Sequence, residues 1–338
     1  MSDKVLLDYG SGGRASQRLV AELFLRHFDN AELRRLNDAA TIDCAARMAM
    51  STDTFTVDPI FFPGGDIGSL AVHGTVNDVA MMGATPRYLT CGFILEEGLP
   101  MDDLERIVAS MGQAARRAGV NIVTGDTKVV PKGAADKIFI NTTGLGEIIA
   151  DPAPSGDAAR PGDAVLVSGT IGDHGLTVLG AREGLDFRSE VRSDSAALNH
   201  LLVKLVRAIP EIHVFRDPTR GGLATTLNEI AQSSRVDCEL AEAAIPVRPE
   251  VSGGCAVLGL DPFYLANEGK FLCILPESQA EAALAIMHDD EHGRDACRIG
   301  SVADAAPGPN PGKVVLVTRL GGKRLLGMLE GEQLPRIC

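Results

Sequence analysis

The chain is predicted to fold as two mixed α/β domains followed by a flexible tail. Three observations carry that expectation. Its 338 residues exceed what one ordinary core accommodates and suit two domains of about 150 to 180 each. Strand-like and helix-like apolar patterns alternate in both halves. Between the halves, Asp151-Pro152-Ala153-Pro154-Ser155-Gly156-Asp157 through Arg160-Pro161-Gly162 concentrates turn formers. We therefore place the domains at residues 1–152 and 153–322 and the tail at residues 323–338.

In the first half, Gln17 to His27, Gly68 to Gly83 and Asp102 to Ala118 carry helical spacing, and Met48 to Val57, Tyr88 to Leu95 and Lys137 to Ile149 read as strands. Asp102 is placed to cap a helix whose stripe is Leu104, Ile107, Val108 and Met111. In the second half, strands are expected at Ala164 to Ser168, Phe271 to Leu275 and Val314 to Thr318, and helices at Ser195 to Ile209 and Leu223 to Ser233. Pro335 biases Leu334 away from helix. A tail from Lys323 to Cys338 reaches roughly 50 Å when extended, so a thiol at Cys338 can visit more than one active site.

A hydrophobic content of 45% with 23% charged residues is that of a globular core needing no disulfides. The formal net charge of -13, without a basic run, disfavours nucleic acid and anionic membrane as partners. The seven cysteines form no C-x-x-C pair, and Cys91 and Cys273 sit inside apolar runs as small hydrophobes. No apolar stretch approaches the roughly 20 residues of a membrane span, and Met1 to Lys4 does not open a signal peptide. The expected location is the cytoplasm.

The chemistry should lie with acidic residues set among small or turn-forming neighbours: Asp38 in Asn37-Asp38-Ala39-Ala40, Asp53 in Ser51-Thr52-Asp53, Asp78 in Val76-Asn77-Asp78-Val79-Ala80, Asp126 in Thr124-Gly125-Asp126-Thr127-Lys128, and Asp217 in Arg216-Asp217-Pro218-Thr219-Arg220-Gly221-Gly222. Each alone reads equally as a turn or cap residue. Together they imply a cation, because two carboxylates about 4 Å apart repel by about 4 kcal/mol at an effective dielectric of 20. Hard oxygens favour Mg²⁺, which bridges to substrate phosphates, so the implied substrate is a nucleoside triphosphate. The glycine-rich Asp8 to Arg14 and Gly64 to Gly68 segments are candidate anion loops before helices. There is no G-x-x-x-x-G-K-[ST]. His288-Asp289-Asp290-Glu291-His292 lacks the order of a zinc helix and reads as a helix end, and Asn141-Thr142-Thr143 reads as strand.

These segments, with Val76 to Pro86 and Ala266-Asn267-Glu268-Gly269, resemble the ATP-dependent superfamily that includes aminoimidazole ribonucleotide synthetase and selenophosphate synthetase. Arg216 to Gly222 and the ending Pro335-Arg336-Ile337-Cys338 are similar to its carbamoyl dehydratases of [NiFe] hydrogenase maturation. The resemblance implies two α/β domains, a homodimer formed by the first, and ATP with Mg²⁺ as cofactors. It implies Asp38, Asp53, Asp78 and Asp217 as metal carboxylates. Gly12, Gly13, Asp38, Asp53, Asp78, Asp126, Thr127 and Asn267 become nucleotide-binding positions. Cys338 would be the carrier nucleophile, Glu268 the base and Lys128 the neutraliser of phosphate charge. Implied partners are the carbamoyltransferase HypF, which loads Cys338, and the scaffold proteins HypC and HypD, which hold the iron that receives cyanide.

An unperturbed thiol near pH 8.5 is only a few per cent ionised at pH 7. An adjacent terminal carboxylate would raise the Cys338 thiol and Arg336 would lower it, so activation is expected in the loading partner. Selenophosphate synthetases carry a reactive cysteine or selenocysteine in the glycine-rich region, where Asp8 to Arg14 has none, and the purine enzyme has no use for a terminal thiol. A non-catalytic ATP-ordered scaffold is the rival from another class.

Overall fold

The computed structural model describes residues 3–10, 18–35, 40, 42–44, 46–185, 191–306, 311–329, 334 and 336–338. A π-helical turn, Val20–Phe24, leads into α1 (Leu25–Phe28). The first unit continues as β1 (Met48–Phe55), the hairpin β2 (Phe61–Phe62) and β3 (Gly65–Asp66), α2 (Ile67–Met81), β4 (Ala84–Glu96), α3 (Met101–Ala118), β5 (Asn121–Val130) and β6 (Ile138–Ile148). Its main sheet has the order β1-β6-β4-β5, with β4 and β5 parallel and the other pairs antiparallel.

The second unit contains β7 (Asp163–Val167), α4 (Asp173–Glu183), α5 (Asn199–Ala208), β8 (Val214–Arg216), α6 (Gly222–Ser234), β9 (Val236–Ala241), α7 (Pro249–Leu258), β10 (Leu272–Pro276), α8 (Ala280–His288), β11 (Cys297–Asp304), β12 (Val314–Val317) and β13 (Lys323–Leu325). These strands form one sheet in the order β13-β12-β9-β11-β7-β10-β8. It is covered on both faces: Val165 and Val167 face a core shared with α6, while Ala164 and Leu166 face one shared with α5 and α8. Burial on both sides explains why β7 is a continuous apolar run rather than an alternating one.

Three local expectations change. The α3 cap position is Pro100, not Asp102; Asp102 and Asp103 lie in the first turn, where their charges complement the helix dipole. The segment around Asp126, whose residues are small and turn-forming, is the edge strand β5, paired in parallel with β4. Gly64 to Gly68 is no anion cradle. The Asp66 carboxylate caps α2 by accepting from Gly68 and Ser69 N–H, and Ser69 Oγ accepts from Asp66 N–H in return, so those donors are already used.

Helix α2 is the central element, with twelve of its fifteen residues buried, as expected of a helix that is apolar all round. One side packs on the sheet, where a Cβ on Gly144 would come within 2.8 Å of Thr75. Another meets α3 so closely that a Cβ on Gly68 would stand 2.5 Å from Ile107 O. Helix propensity alone would favour Gly68→Ala by about 1 kcal/mol. Overpacking against backbone reverses the sign, and we expect a net loss of about 1–3 kcal/mol in urea unfolding.

Candidate active site

The two units meet at a cleft of about 490 Å³ whose lining includes Ser51, Asp53, Asp78, Arg216, Asp217, Arg220, Glu268 and Cys338. Asp53 comes from β1 and Asp78 from α2, while Asp217 lies just beyond β8. Glu268 sits on the turn before β10. That turn is held by buried Asp194, whose carboxylate accepts from Glu268 N–H at 3.1 Å and Gly269 N–H at 3.2 Å and pairs with Lys270 at 3.3 Å. From the other unit, Asn77 Nδ2 donates to Ala196 O at 2.9 Å and Glu268 O at 3.4 Å, and its Oδ1 accepts from Leu198 N–H at 2.8 Å. Asn77 and Asp78 are neighbours on α2, so one turn of helix both clasps the second unit and supplies a carboxylate to the cleft.

The electrostatics are lopsided. Burial pushes the Asp217 carboxyl up to about 7, helped by the neighbouring Asp78 charge. Asp53 is raised by burial, and Asp78 by burial and by Asp53, against the opposing hydrogen bond from Ser51 Oγ at 2.6 Å. Burial raises Glu268 further, with Asp217 the next cause, and its Oε1 is buried without a protein partner. Four acids in a partly water-excluded cleft need protons or a cation. Their hard oxygens, with the orphaned Oε1, suit Mg²⁺ by donor chemistry. Among the described residues, no group of three or more His, Cys, Asp or Glu side chains is drawn together tightly enough to hold a metal.

Cys338 reaches this cleft because the described end of the tail is seated on the body. Cys338 O accepts from Thr56 N–H at 3.0 Å, and Arg336 O from Asp58 N–H at 3.2 Å. The thiol is raised chiefly by burial and then by Glu268, with Arg220 opposing. Arg336, expected to lower it, is instead occupied by Asp136 at 2.6 Å and Thr56 O at 2.8 Å.

Other expected site residues lie elsewhere. Asp126, Thr127 and Lys128 are on β5, at the rim of a second cavity of about 450 Å³ floored by Tyr9, Leu19, Phe24, Phe28 and Phe93. Lys128 Nζ lies 2.5 Å from Asp126 Oδ2, which holds that carboxyl below its usual range. Within one chain β5 and β1 are opposite edges of the sheet, about 14 Å apart at about 4.8 Å per strand. Asn267 spends its amide on backbone: its Oδ1 accepts from Gly172 N–H and its Nδ2 donates to Pro218 O and Leu265 O, so it shapes the loop behind Glu268. Asp38, Gly12 and Gly13 fall outside the described residues. His288 ends α8 and bonds to Ala296 O, and Asn141 in β6 donates to Asp53 O. The cations Arg216 and Arg220 were not singled out from the sequence, although both stand inside the quoted Arg216 to Gly222 motif.

A carboxylate-lined cleft between two α/β units, fed by a strand, a helix and two turns, defines a protein of the AIR synthase type. Residues 36–148 match the AIR synthase related protein N-terminal domain and residues 160–307 its C-terminal domain. A carbamoyl dehydratase HypE from Cupriavidus necator is 54% identical over 341 residues, covering 100% of this chain and 95% of the relative. The crystal structure of a hydrogenase maturation protein HypE in complex with ATP superposes with a TM-score of 0.96 at 68% identity, covering 98% of this chain and 99% of that one. A chain from a HypE–HypF complex gives 0.80 at 47% identity, covering 92% and 99%. Within the AIR synthase-related proteins, this chain belongs to the HypE family.

Because burial pushes the Asp217 carboxyl up to about 7, the native state keeps its proton between the ordinary carboxylate range and neutrality while the unfolded chain has lost it. The stability that this proton confers is therefore lost as pH rises through about 7. A bound cation must displace the proton. We expect Mg²⁺ to raise the thermal midpoint more at pH 8 than at pH 6. Asp217→Asn should stabilise the metal-free protein by about 1–3 kcal/mol at pH 8 and blunt its Mg²⁺ response, both measurable by scanning calorimetry.

Proposed function

We propose that this chain carries a carbamoyl group as a thiocarbamate on Cys338 and dehydrates it to a thiocyanate at the expense of ATP. It is a carbamoyl dehydratase of hydrogenase maturation. The observation that carries the Cys338 reading is the seating of that thiol in the carboxylate cleft beside Glu268.

The overall change converts Cys338–S–C(=O)–NH₂ and ATP into Cys338–S–C≡N, ADP and phosphate. An amide oxygen is a poor leaving group, so it first takes the γ-phosphoryl group. The C–O bond then breaks as phosphate departs, and both N–H protons are lost. Glu268 is the base we assign to those protons: burial makes it strongly basic once ionised, and its free Oε1 has no competing partner. Tethering through Cys338 makes the encounter intramolecular. Asp53, Asp78 and Asp217, with Asp38, would hold Mg²⁺, which supplies charge neutralisation for the phosphoryl group. Arg216 and Arg220 are the cations of the cleft lining itself.

The apolar cavity rimmed by Asp126, Thr127 and Lys128 suits a nucleoside, and the ATP-bound relative supports nucleotide binding in this fold. Since Lys128 is remote from Cys338 within one chain, we assign its contact with transferred phosphate to a homodimer. The open sheet face bearing exposed Met50, at 75% accessibility, and Ile94, at 44%, is the surface we assign to the second copy. HypF, present in the complex with a relative, is the proposed loading partner. HypC and HypD are the proposed acceptors that carry the iron receiving cyanide. No described helix is long and apolar enough to cross a membrane, and the seven free thiols suit a reducing cytoplasm.

Intact mass spectrometry after incubation with HypF, carbamoyl phosphate and ATP, then fresh Mg-ATP, should show one carbamoyl group gained at Cys338 and then one water lost. Cys338→Ala should fold and bind ATP but gain nothing; an adduct on it would refute the assignment. Glu268→Gln should load normally yet dehydrate roughly 100-fold more slowly or worse. For the dimer, mixing Lys128→Ala with Glu268→Gln subunits should restore turnover that neither variant shows alone; no recovery in verified mixed dimers would place both residues in one subunit's site.

A further inference from the structure

The seated tail presents two successive carbonyls and the terminal carboxylate of Cys338, and each meets a donor. Thr56 serves Cys338 O through its N–H at 3.0 Å and its Oγ1 at 3.3 Å. Arg336 O receives Asp58 N–H at 3.2 Å and Arg182 Nη2 at 2.6 Å. Ile337 O, between them, has His174 Nε2 at 2.8 Å. Ile337 is itself only 4% exposed, with its side chain in the core of the first unit, so a carbonyl left without a donor there would be costly.

The direction of the His174 bond follows from its surroundings. Ser193 Oγ accepts the Ser195 N–H at 3.1 Å and lies 2.7 Å from His174 Nδ1. Ile337 O can only accept, so the proton lies on Nε2, and Nδ1 of the neutral ring accepts the Ser193 hydroxyl proton. The ring therefore donates from Nε2 to Ile337 O. Complete burial keeps the imidazole neutral, in agreement with that tautomer. The ring is fixed edge-on to Phe62 at 5.5 Å between centroids. His174 and Arg182 are eight residues apart on α4, hence on one face, and both hold the tail.

We propose that His174 is a positioning residue for the dehydration step: by donating to Ile337 O it sets the register of the tail that brings the Cys338 sulfur to Glu268. It touches neither sulfur nor phosphate. The assignment rests on the dehydratase reading for its consequence and on the tail contacts alone for its geometry, so the two are tested separately.

The first arm needs no carbamoyl chemistry. In Mg-ATP buffer, Cys338 alkylation by iodoacetamide is followed by peptide mapping, with exposed Cys44 as internal reference. His174→Ala should react about tenfold faster than wild type at Cys338 and equally at Cys44. His174→Gln, which retains a donor and an acceptor, should return toward the wild-type rate. Ile337→Ala, which changes only the tail, should behave as His174→Ala does, and it guards against a folding defect at the buried histidine. An unchanged Cys338 rate in both His174→Ala and Ile337→Ala overturns the proposal.

In the second arm, HypF-dependent loading of His174→Ala should match wild type while single-turnover loss of water slows at least tenfold, with rescue by His174→Gln. Equal impairment of loading and dehydration, without rescue, marks a structural role and also overturns it. Failure of wild type itself to load or dehydrate refutes the dehydratase reading and leaves the alkylation result standing.

Discussion

The arrangement of this molecule depends on one buried amide. Asn77, almost wholly inaccessible on a helix belonging to the first unit, spends its side chain on backbone groups of the second, at Ala196, Glu268 and Leu198. A buried amide left without such partners would cost about 1–3 kcal/mol, so the clasp selects the one mutual placement in which all are met. In that placement Asp78 faces Asp217 across the cleft, and the Glu268 turn is held from Asn77 on one side and Asp194 on the other. The reactive groups are thus located by residues that take no part in chemistry.

The cost of this placement is electrostatic. Asp53, Asp78, Asp217 and Glu268 are confined together and, among the described residues, the cleft lining holds no lysine and two arginines, one of which is tied to Glu229. Raised carboxyl groups are the signature of charge held against its preference, and such sites are typically functional. The cleft thus carries a deficit of positive charge that its two arginines only partly offset.

Much of this was legible from local pattern. The stripe Leu104, Ile107, Val108 and Met111 announced α3, and alternation announced β1 and β6. The carboxylates stood out because each sits among small residues, and three of the four assigned to metal line the cleft, with Asp38 outside the described residues. What escaped depends on distant partners. Strand β5 was hidden because Thr124-Gly125-Asp126-Thr127-Lys128 has turn chemistry; it is a strand because parallel pairing with β4 overrides that preference, with Gly125 leaving room for Cys91 O, 2.2 Å from where a Cβ would stand. Asn267 was assigned by motif position to nucleotide, yet only the folded loop reveals that its amide is spent on backbone. His174 carried no signal, being a lone histidine in Gly172-Asp173-His174-Gly175. The docking of the tail could not be read because Thr56 and Asp58 lie some 280 residues upstream.

The way the tail is held has a bearing on its cargo. Thr56, Asp58, His174 and Arg182 all grip main-chain oxygens, and Ile337 supplies the buried anchor; among the described residues, these contacts go to oxygen and not to sulfur. The grip is therefore on the peptide rather than on its side-chain sulfur. A change at the sulfur would leave these hydrogen bonds in place, so the hold on the peptide does not depend on what the sulfur carries. Release of the tail would then turn on competition for those main-chain oxygens rather than on the sulfur.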